Sequence, residues 1–425
     1  MKQVAVIGLG YVGLTTAVGL AQLGHKVLGF DVDDSKVTLL SAGESPIYEE
    51  GLEKAIRSLM HSNGLSFSNS LDILKNFEPE FIFVCVATPQ DESGSADLSV
   101  LNSVAIQMAG IAPANSILVI KSTVPVGTGQ TIARAINRKD VFVASNPEFL
   151  REGTAMKDFE EPDRIVVGSN NRDAAKRVLD LYSPVNVPKL ETNLESSELI
   201  KYASNAYLAM RLSFTNDIAA LSEKANANVE QVLNGMGLDK RIGTGFLKPG
   251  PGWGGSCFPK DTNALIAIAS GYDSRLPLVE SAIASNKAAL DRSVTTIEDL
   301  AGGDLSNKTV GVWGIAFKAN TDDIRDSPAL MIIDSLIVKG ATVQAYDPVA
   351  VAPEQAGLVT KSSAEEAAAG ADVLAVLTEW TEFANVSPEN VAGVMNSSVV
   401  YDARRVLPKS WKAHFSVFKV LGGAY

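Results

Sequence analysis

The chain has 425 residues, of which 46% are hydrophobic and 20% charged, a composition typical of a globular protein with about three domains. Its formal net charge of −12 argues against a surface that binds nucleic acid or an anionic membrane. No apolar run reaches the roughly 20 residues of a membrane span, and the apolar run at the N-terminus is too short for a signal peptide.

Two cysteines provide no disulfide framework, which indicates a reducing compartment and predicts a cytoplasmic protein. Cys85 lies within an apolar run, where we expect it to be buried and inert. The three histidines are scattered along the chain and predict no metal site: His25, His61 and His414.

The first predicted elements are a short apolar strand, the turn Gly8-x-Gly10-x-x-Gly13 and a helix that ends near Leu23. A second strand ends at Asp31, 18 positions beyond the last glycine. This order predicts a dinucleotide-binding unit in which the backbone approaches a pyrophosphate at the N-terminus of the helix. Asp31 would accept hydrogen bonds from the ribose hydroxyls and repel a 2′-phosphate, which favours NAD over NADP. The alternative role for Asp31 is a cap of the next helix.

Strands and helices alternate up to about residue 190, which predicts an N-terminal NAD-binding Rossmann domain over residues 1–192. Four further strands are expected, at 81–87, 117–121, 141–144 and 164–168. Three of them end in polar segments, and ligands of open parallel sheets gather at such carboxyl ends.

A Thr-x-x-Glu pattern over 192–195 is a capping box, and it predicts a long helix over about 194–225. Lys201 and Asn205 are four residues apart and therefore share one helix face. The alternatives are a surface ion pair of Lys201 with Glu198 and a helix-packing amide at Asn205. We expect residues 193–299 to form a central helical domain.

Within this helical region, a glycine-rich loop leads to the octapeptide Gly254–Asp261, which contains the second cysteine. Cys257 would lie at the start of a helix, where the helix dipole and Lys260 favour the thiolate. The alternative is a structural loop with a small buried cysteine.

Alternation of strands and helices returns after residue 303 and predicts a second doubly wound domain over residues 300–425. Strands are expected at 310–315, 342–346, 373–377 and 399–401. The segment Gly311-x-Trp313-Gly314 lacks the complete dinucleotide pattern, so we expect no second NAD there.

Six motifs, in this order along nearly the whole chain, resemble the UDP-glucose/GDP-mannose dehydrogenase family. They are Gly8–Gly13, Ser122–Gly127, Asn146–Gly153, Lys201–Asn205, Gly254–Asp261, and Phe317-Lys318 with Arg325. One departure is Glu50, where the family usually has proline, and we expect it to alter a surface turn alone.

The resemblance implies an α/β fold with two Rossmann-like doubly wound domains joined by a central long helix. The central domain would also form a homodimer, and the C-terminal domain would bind the UDP-sugar. The implied reaction is the oxidation of UDP-glucose at C6 by two NAD in succession, without release of the aldehyde, to UDP-glucuronate.

The resemblance also implies roles for individual residues. Cys257 would add to the aldehyde as a nucleophile, and Lys201 with Asn205 would stabilise the oxyanion. Water handling and proton transfer would involve Asp261, Glu148, Glu152 and Thr123. For Glu148 and Glu152, the alternative is that they are carboxylates favoured at the start of a helix.

Binding residues are implied in the same way. The expected NAD contacts are Gly8, Gly10, Tyr11, Val12, Gly13, Asp31, Lys36, Thr88, Thr123, Glu152, Lys260 and Arg325. The expected contacts with the nucleotide sugar are Glu148, Phe149, Leu150, Arg151, Glu152, Lys201, Asn205, Phe246, Leu247, Lys248, Pro249, Gly250, Gly254 and Lys318, with Arg241 reaching the substrate of the partner subunit.

Three other functions compete with this one. A related nucleotide-sugar 6-dehydrogenase, acting on GDP-mannose or a UDP-N-acetylhexosamine, would share the cysteine and both oxidations. A β-hydroxyacid dehydrogenase would share the NAD domain and the helix lysine but would form one NADH per substrate. A silent nucleotide-binding module would need no catalytic set.

Overall fold

The computed structural model of the chain describes residues 1–90 and 96–423. They divide into two compact units, the first comprising Met1–Ser204 with Asn263–Asp273, and the second comprising Asn205–Thr262 and the chain from Ser274 onward. Each unit contains one predominantly parallel sheet, and a 31-residue helix occupies the central region, so the α/β class is confirmed. The domain boundaries after residues 192 and 299 stay predictions, and the predicted end at residue 425 lies outside the described residues.

The sheet of the first unit has eight strands in the order β3-β2-β1-β4-β5-β6-β7-β8. All neighbours run parallel except β6 and β7, which pair antiparallel through Ser145 and Gly168. The elements in chain order are β1 (Gln3–Ile7), α1 (Tyr11–Gln22), β2 (Lys26–Phe30), α2 (Asp34–Ser41), α3 (Leu52–His61), β3 (Leu65–Ser68), α4 (Leu71–Phe77), β4 (Phe81–Val84), α5 (Ser99–Ile111), β5 (Ser116–Ile120), α6 (Thr128–Ile136), β6 (Val141–Ser145), α7 (Ala155–Glu160), β7 (Ile165–Gly168), α8 (Arg172–Leu181) and β8 (Lys189–Thr192).

Both faces of this sheet are covered, which explains why its strands are apolar runs rather than alternating ones. In β1, Val4 and Val6 pack into one hydrophobic cluster, whereas Ala5 and Ile7 pack into another on the opposite face. The polar segments that follow β4, β5 and β6 therefore lie at the carboxyl edge of the sheet, and they contain Thr88, Thr123 and Glu148.

Four helices form the middle of the chain: α9 (Leu194–Lys224), α10 (Val229–Gly237), α11 (Phe258–Gly271) and α12 (Pro277–Leu300). The predicted capping box of α9 is wrong, because Thr192 belongs to β8 and the side chain of Asn193 accepts the hydrogen bond of the Ser196 amide, at 2.8 Å. The sequence also predicts an end of α12 near residue 291. The helix continues because Val294 and Ile297 are buried in the hydrophobic core.

The sheet of the second unit has six parallel strands in the order β11-β10-β9-β12-β13-β14. The elements are β9 (Thr309–Trp313), α13 (Pro328–Val338), β10 (Thr342–Tyr346), β11 (Leu358–Thr360), α14 (Ala364–Ala368), β12 (Val373–Val376), α15 (Pro388–Val394), β13 (Val399–Asp402) and β14 (Val417–Val420), with 3₁₀ turns at Thr381–Asn385 and Lys409–Ala413.

The second unit repeats the strand–turn geometry of the first at Gly314. Gly8 and Gly314 both have positive φ, and each amide donates to the last carbonyl of the neighbouring strand at 2.8 Å. Gly311 instead lies inside β9, where a Cβ would meet the Ala367 carbonyl oxygen at 2.6 Å. The equivalent of the first glycine-rich turn therefore starts at Gly314.

Candidate active site

The glycine-rich turn of the first unit has the geometry that a dinucleotide requires. A Cβ on Gly13 would lie 1.8 Å from the Gly8 carbonyl oxygen. Only glycine at this position therefore allows α1 to pack so closely against the turn that follows β1. A Cβ on Gly10 would meet no atom within 4 Å, which leaves the N-terminus of α1 open. Tyr11 and Val12 form the first turn of α1. These residues fit a pyrophosphate bound by backbone amides at a helix N-terminus.

Asp31 is held at the end of β2 by three donors. Its carboxylate accepts from the Leu9 amide at 2.7 Å, from the Lys36 ammonium at 2.9 Å and from the Asp33 amide at 3.0 Å. Burial by itself would raise the pKa of Asp31, but these donors outweigh it and hold the pKa below its ordinary value. Asp33, not Asp31, caps α2. The alternative of a cap at Asp31 is therefore wrong.

The turns that follow β4 and β5 are joined through two of the predicted NAD contacts. The Thr88 hydroxyl donates to the Thr123 carbonyl at 2.9 Å. Thr88 is buried, whereas Thr123 is partly exposed. The structure thus brings these two residues together at the carboxyl edge of the sheet.

Lys201 and Glu148 form a buried ion pair. The two side chains are 4% and 7% exposed, and the Lys201 Nζ lies 2.7 Å from Glu148 Oε1. The Leu150 amide donates to the other oxygen at 2.6 Å. Burial would raise the pKa of Glu148, but the ammonium and the hydrogen bonds outweigh it and lower the pKa. The alternative of a surface pair between Lys201 and Glu198 is wrong.

Glu198 instead connects α9 with the start of α6. Its two carboxylate oxygens accept from the Gly127 and Gly129 amides, each at 2.7 Å, and the residue is 2% exposed. Burial raises the pKa of Glu198 to about 7 despite these bonds. The carboxylate thereby holds the segment after β5, which carries Thr123, against the helix that carries Lys201.

The first unit also contains a cluster of buried polar side chains that the sequence did not predict. Lys121, the residue after β5, donates to Asn146 at 3.1 Å, and the Tyr182 hydroxyl donates to the same oxygen at 2.8 Å. Burial lowers the pKa of Lys121 to about 8 and raises the pKa of the Cys85 thiol to about 12. The available signal was a lysine at the end of an apolar strand. Cys85 is buried as predicted.

The remaining residues of the segment after β6 differ in their placement. The Phe149 ring is close to two cations, with the Arg164 guanidinium 3.8 Å and the Lys201 ammonium 5.7 Å from its centroid. Arg151, expected to bind substrate, forms an ion pair with Asp158 at 2.5 Å and is 64% exposed. Glu152 is partly buried.

In the second unit, Cys257 immediately precedes α11, at the start of a helix as predicted. Its carbonyl accepts from the Asp261 amide at 2.8 Å, so the thiol lies at the positive end of a helix. Asp261 is 1% exposed, and its carboxylate accepts from Asn205 Nδ2 at 2.6 Å and from Lys260 Nζ at 2.5 Å. The Ser256 hydroxyl lies 3.5 Å from the Cys257 sulfur. Lys201 and Asn205, expected to share one helix face, thus each bind a different carboxylate. Lys201 binds Glu148, and Asn205 binds Asp261.

The two glycines before the cysteine allow this loop to contact the segment after β9. A Cβ on Gly254 would lie 1.9 Å from the Asp326 carbonyl oxygen, and one on Gly255 would lie 2.7 Å from the Phe317 ring. The Lys318 ammonium is 5.5 Å from the centroid of that ring. Arg325, expected to contact NAD, forms an ion pair with Asp323 at 2.6 Å.

The predicted substrate loop of the second unit is partly buried. Leu247 and Gly250 are buried, Pro249 is half-buried, and Phe246 and Lys248 are exposed. The Gly250 amide donates to Asn216 at 2.9 Å, and the Phe246 ring centroid lies 6.4 Å from that of Phe258. Arg241 is 88% exposed and forms an ion pair with Asp239.

Neither a metal site nor a membrane-spanning helix is found in the part of the chain that the structure describes. Among residues 1–90 and 96–423, no three His, Cys, Asp or Glu side chains are grouped so that they could hold a metal ion. Within the same residues, every helix is either too short or too polar to cross a membrane.

Three family models match successive parts of the chain. They describe the NAD binding domain, the central domain and the UDP binding domain of the UDP-glucose/GDP-mannose dehydrogenase family, at residues 2–186, 195–288 and 311–409. With the glycine turn and Asp31 in place, the chain is an NAD-dependent oxidoreductase. It belongs to the UDP-glucose/GDP-mannose dehydrogenase family.

Individual relatives agree with this assignment. A UDP-glucose 6-dehydrogenase of Rhizobium meliloti is 42% identical over 423 residues, which cover 96% of each chain. A UDP-glucose dehydrogenase structure from Pyrobaculum islandicum superposes with a TM-score of 0.92 at 36% identity, covering 100% of this chain and 98% of that one. A UDP-D-ManNAc dehydrogenase structure from Pyrococcus horikoshii gives 0.89 at 25% identity, covering 99% of both chains.

Proposed function

We propose that the chain oxidises UDP-glucose at C6 to UDP-glucuronate in two NAD-dependent steps. The observation that carries this proposal is Cys257 directly before α11, whose first turn contains the buried carboxylate of Asp261, which is bonded to Asn205 and Lys260. The oxidation of the alcohol to an aldehyde does not need a nucleophile, whereas the subsequent oxidation of the aldehyde does. The names of the relatives and the UDP binding domain support the choice of substrate.

In the first oxidation, the C6 hydroxyl loses a proton to water or a base, and C6 loses a hydride to NAD. Lys201 and Asn205, one helical turn apart on α9, stabilise the negative charge that develops on the oxygen. Thr123, Glu148 and Glu152 position the water that takes up the proton. The buried pair with Glu148 keeps the Lys201 ammonium in one place, so little reorganisation accompanies the reaction.

The second oxidation starts with the addition of the Cys257 thiolate to the aldehyde carbon, which forms a thiohemiacetal. C6 then loses a second hydride to a second NAD while the thiohemiacetal hydroxyl loses its proton to water or a base, and a thioester results. Water then cleaves the thioester, so that the thiolate is released and glucuronate forms. Asp261, fixed by two hydrogen bonds, assists this hydrolysis.

The binding residues are proposed as the resemblance implies. The cofactor is held by the glycine turn from Gly8 to Gly13, by Asp31 and Lys36, and by Thr88, Thr123, Glu152, Lys260 and Arg325. The nucleotide sugar is held by residues 148–152, Lys201, Asn205, 246–250, Gly254 and Lys318. Local cations such as Lys248, Lys318 and Arg325 provide positive charge for the diphosphates on a protein of net charge −12.

The helix α9 supports a homodimer. Tyr207, Phe214 and Leu221 recur at seven-residue intervals and are 61%, 53% and 62% exposed, which makes an apolar stripe suited to a second helix. In that dimer, Arg241 reaches the substrate of the partner subunit. Cys85 and Cys257 form no disulfide, which suits a reducing compartment, and we place the enzyme in the cytoplasm.

A substrate panel with NADH counting tests the function. Purified protein is incubated with NAD and with UDP-glucose, GDP-mannose, UDP-N-acetylglucosamine or UDP-N-acetylmannosamine. We expect two NADH for each UDP-glucose consumed and little NADH from the others. NADH from GDP-mannose or an N-acetylated sugar alone would refute the substrate, and one NADH per sugar would refute the thioester route.

A further inference from the structure

Three segments of the first unit meet at the buried carboxylate of Glu49, a residue with no role in the proposed reaction. The Tyr11 hydroxyl donates to Glu49 Oε2. The Gly153 amide donates to the same oxygen at 2.9 Å and also to the Tyr11 hydroxyl oxygen at 2.8 Å. Glu49 is 8% exposed. Three groups that are far apart in the sequence thus form a closed triangle of hydrogen bonds.

Through Glu49, the triangle joins two segments that take part in the proposed function: the dinucleotide turn and residues 148–153. Tyr11 is the first residue of α1 and follows the glycines of the dinucleotide turn. Gly153 ends the segment that contains Glu148 and Glu152. Burial and the neighbouring Glu49 raise the pKa of Tyr11, which favours the protonated hydroxyl that donates to Glu49.

The triangle is sensitive to the removal of the carboxylate. Without Glu49, the Tyr11 hydroxyl loses its acceptor, and the Gly153 amide loses one of the two acceptors that hold it. Gly153 has φ of +77°, a left-handed conformation that glycine adopts without steric cost. The segment from 148 to 153 would then be free to shift relative to α1.

We propose that Glu49 is a positioning residue that fixes residues 148–153 to the dinucleotide turn. The proposal rests on the proposed function for its effect on turnover, but not for its effect on the segment itself. Glu49 touches neither of the proposed reacting groups. It acts through the Gly153 amide and the Tyr11 hydroxyl, and thereby sets the distance between the cofactor turn and Glu148.

Four variants test this: Glu49→Ala, Glu49→Gln, Tyr11→Phe and the double variant Tyr11→Phe/Glu49→Ala, with the exposed neighbour Glu50→Ala as the matched control. We expect kcat of Glu49→Ala to fall about ten- to hundredfold while KM for NAD changes less than about threefold. Glu49→Gln should restore most of the rate, because a single amide oxygen can accept both hydrogen bonds that converge on Oε2. The double variant should be no slower than Glu49→Ala, since the two residues act as a unit.

Hydrogen–deuterium exchange of the protein without any ligand supplies a second measurement. Peptides that cover residues 148–154 should exchange faster in Glu49→Ala, whereas Glu50→Ala should match the wild type. If the wild type forms no NADH from any nucleotide sugar, the proposed function fails, and the exchange result still decides the role of Glu49. Unchanged exchange in that segment, a wild-type kcat in Glu49→Ala, or equal losses in Glu49→Gln and Glu49→Ala would overturn the proposal.

Discussion

Variants of the buried pair of Lys201 and Glu148 allow the structural role of the lysine to be measured separately from the catalytic role that we propose for it. The change is Lys201→Met, which keeps the apolar stem and removes the charge. Glu148, 7% exposed, then keeps a charge that has lost its ammonium partner at 2.7 Å. Breaking such a pair costs about 3–5 kcal/mol. At about 2–4 °C per kcal/mol for a unit of this size, the midpoint of unfolding should fall by roughly 6–20 °C.

The second variant removes both charges. In Lys201→Met/Glu148→Gln, the carboxylate that lost its ammonium partner is also removed, so most of the lost stability should return. Turnover should not return, because the oxyanion donor is still missing. A loss on the order of 3 kcal/mol of transition-state stabilisation, about a hundredfold or more in kcat, is expected in both variants.

Calorimetry without ligands measures the stability, since it registers both sheets, whereas the four tryptophans lie at 253, 313, 380 and 411, all in the second unit. Lys2→Met is the matched control. Its pair with Glu80 has the similar distance of 2.8 Å but is 49% and 38% exposed, so a change below about 1 kcal/mol is expected. If Lys201→Met is as stable as the wild type, or the double variant is no more stable than Lys201→Met, the reasoning is refuted.

The stability that this pair provides should also depend on pH in a defined direction. The pKa of Glu148 is lowered from its ordinary value of 4.5 in the folded protein. The contribution is therefore present above about pH 4.5 and is lost as the pH falls through the lowered pKa. In the double variant this acid-side loss should be smaller.

Three further predictions concern other residues. Cys257→Ser should stall with a covalent or aldehyde-level adduct detectable by mass spectrometry, and Cys257→Ala should release some aldehyde; full turnover to the acid in Cys257→Ala would exclude the thioester. Because the pKa of Glu198 is raised from 4.5 to about 7, its contribution is present below about pH 4.5 and is lost as the pH rises through 7, by about 3 kcal/mol in total. Glu198→Gln should remove that dependence in unfolding experiments from pH 4 to 8, while Glu195→Gln, one turn earlier, should retain it; identical curves for Glu198→Gln and the wild type would contradict the assignment. Gly13→Ala should destabilise the first unit by about 3 kcal/mol or more, because its Cβ would lie 1.8 Å from the Gly8 carbonyl oxygen, whereas Gly10→Ala should fold normally and bind NAD more weakly; an intact NAD affinity and stability in Gly13→Ala would contradict this.

Local patterns were sufficient for much of the fold. Glycines at fixed spacing before a helix, and an acidic residue at the end of the next strand, predicted the first sheet and its cofactor because both depend on neighbours in sequence. The start of α11 at the octapeptide was likewise a local signal. An error arose where two local signals competed, because the side chain of Asn193 instead of Thr192 caps α9.

The sequence by itself determined the class of the protein, the cofactor and the cysteine, because these follow from residue types at fixed spacings. Only the tertiary structure decided the partners of each polar side chain. Lys201 pairs with Glu148 instead of Glu198, since the strand edge after β6 faces α9, and Glu198 accepts from the Gly127 and Gly129 amides. The role of Glu49 depends on contacts across 38 and 104 residues, which no periodicity along the chain encodes.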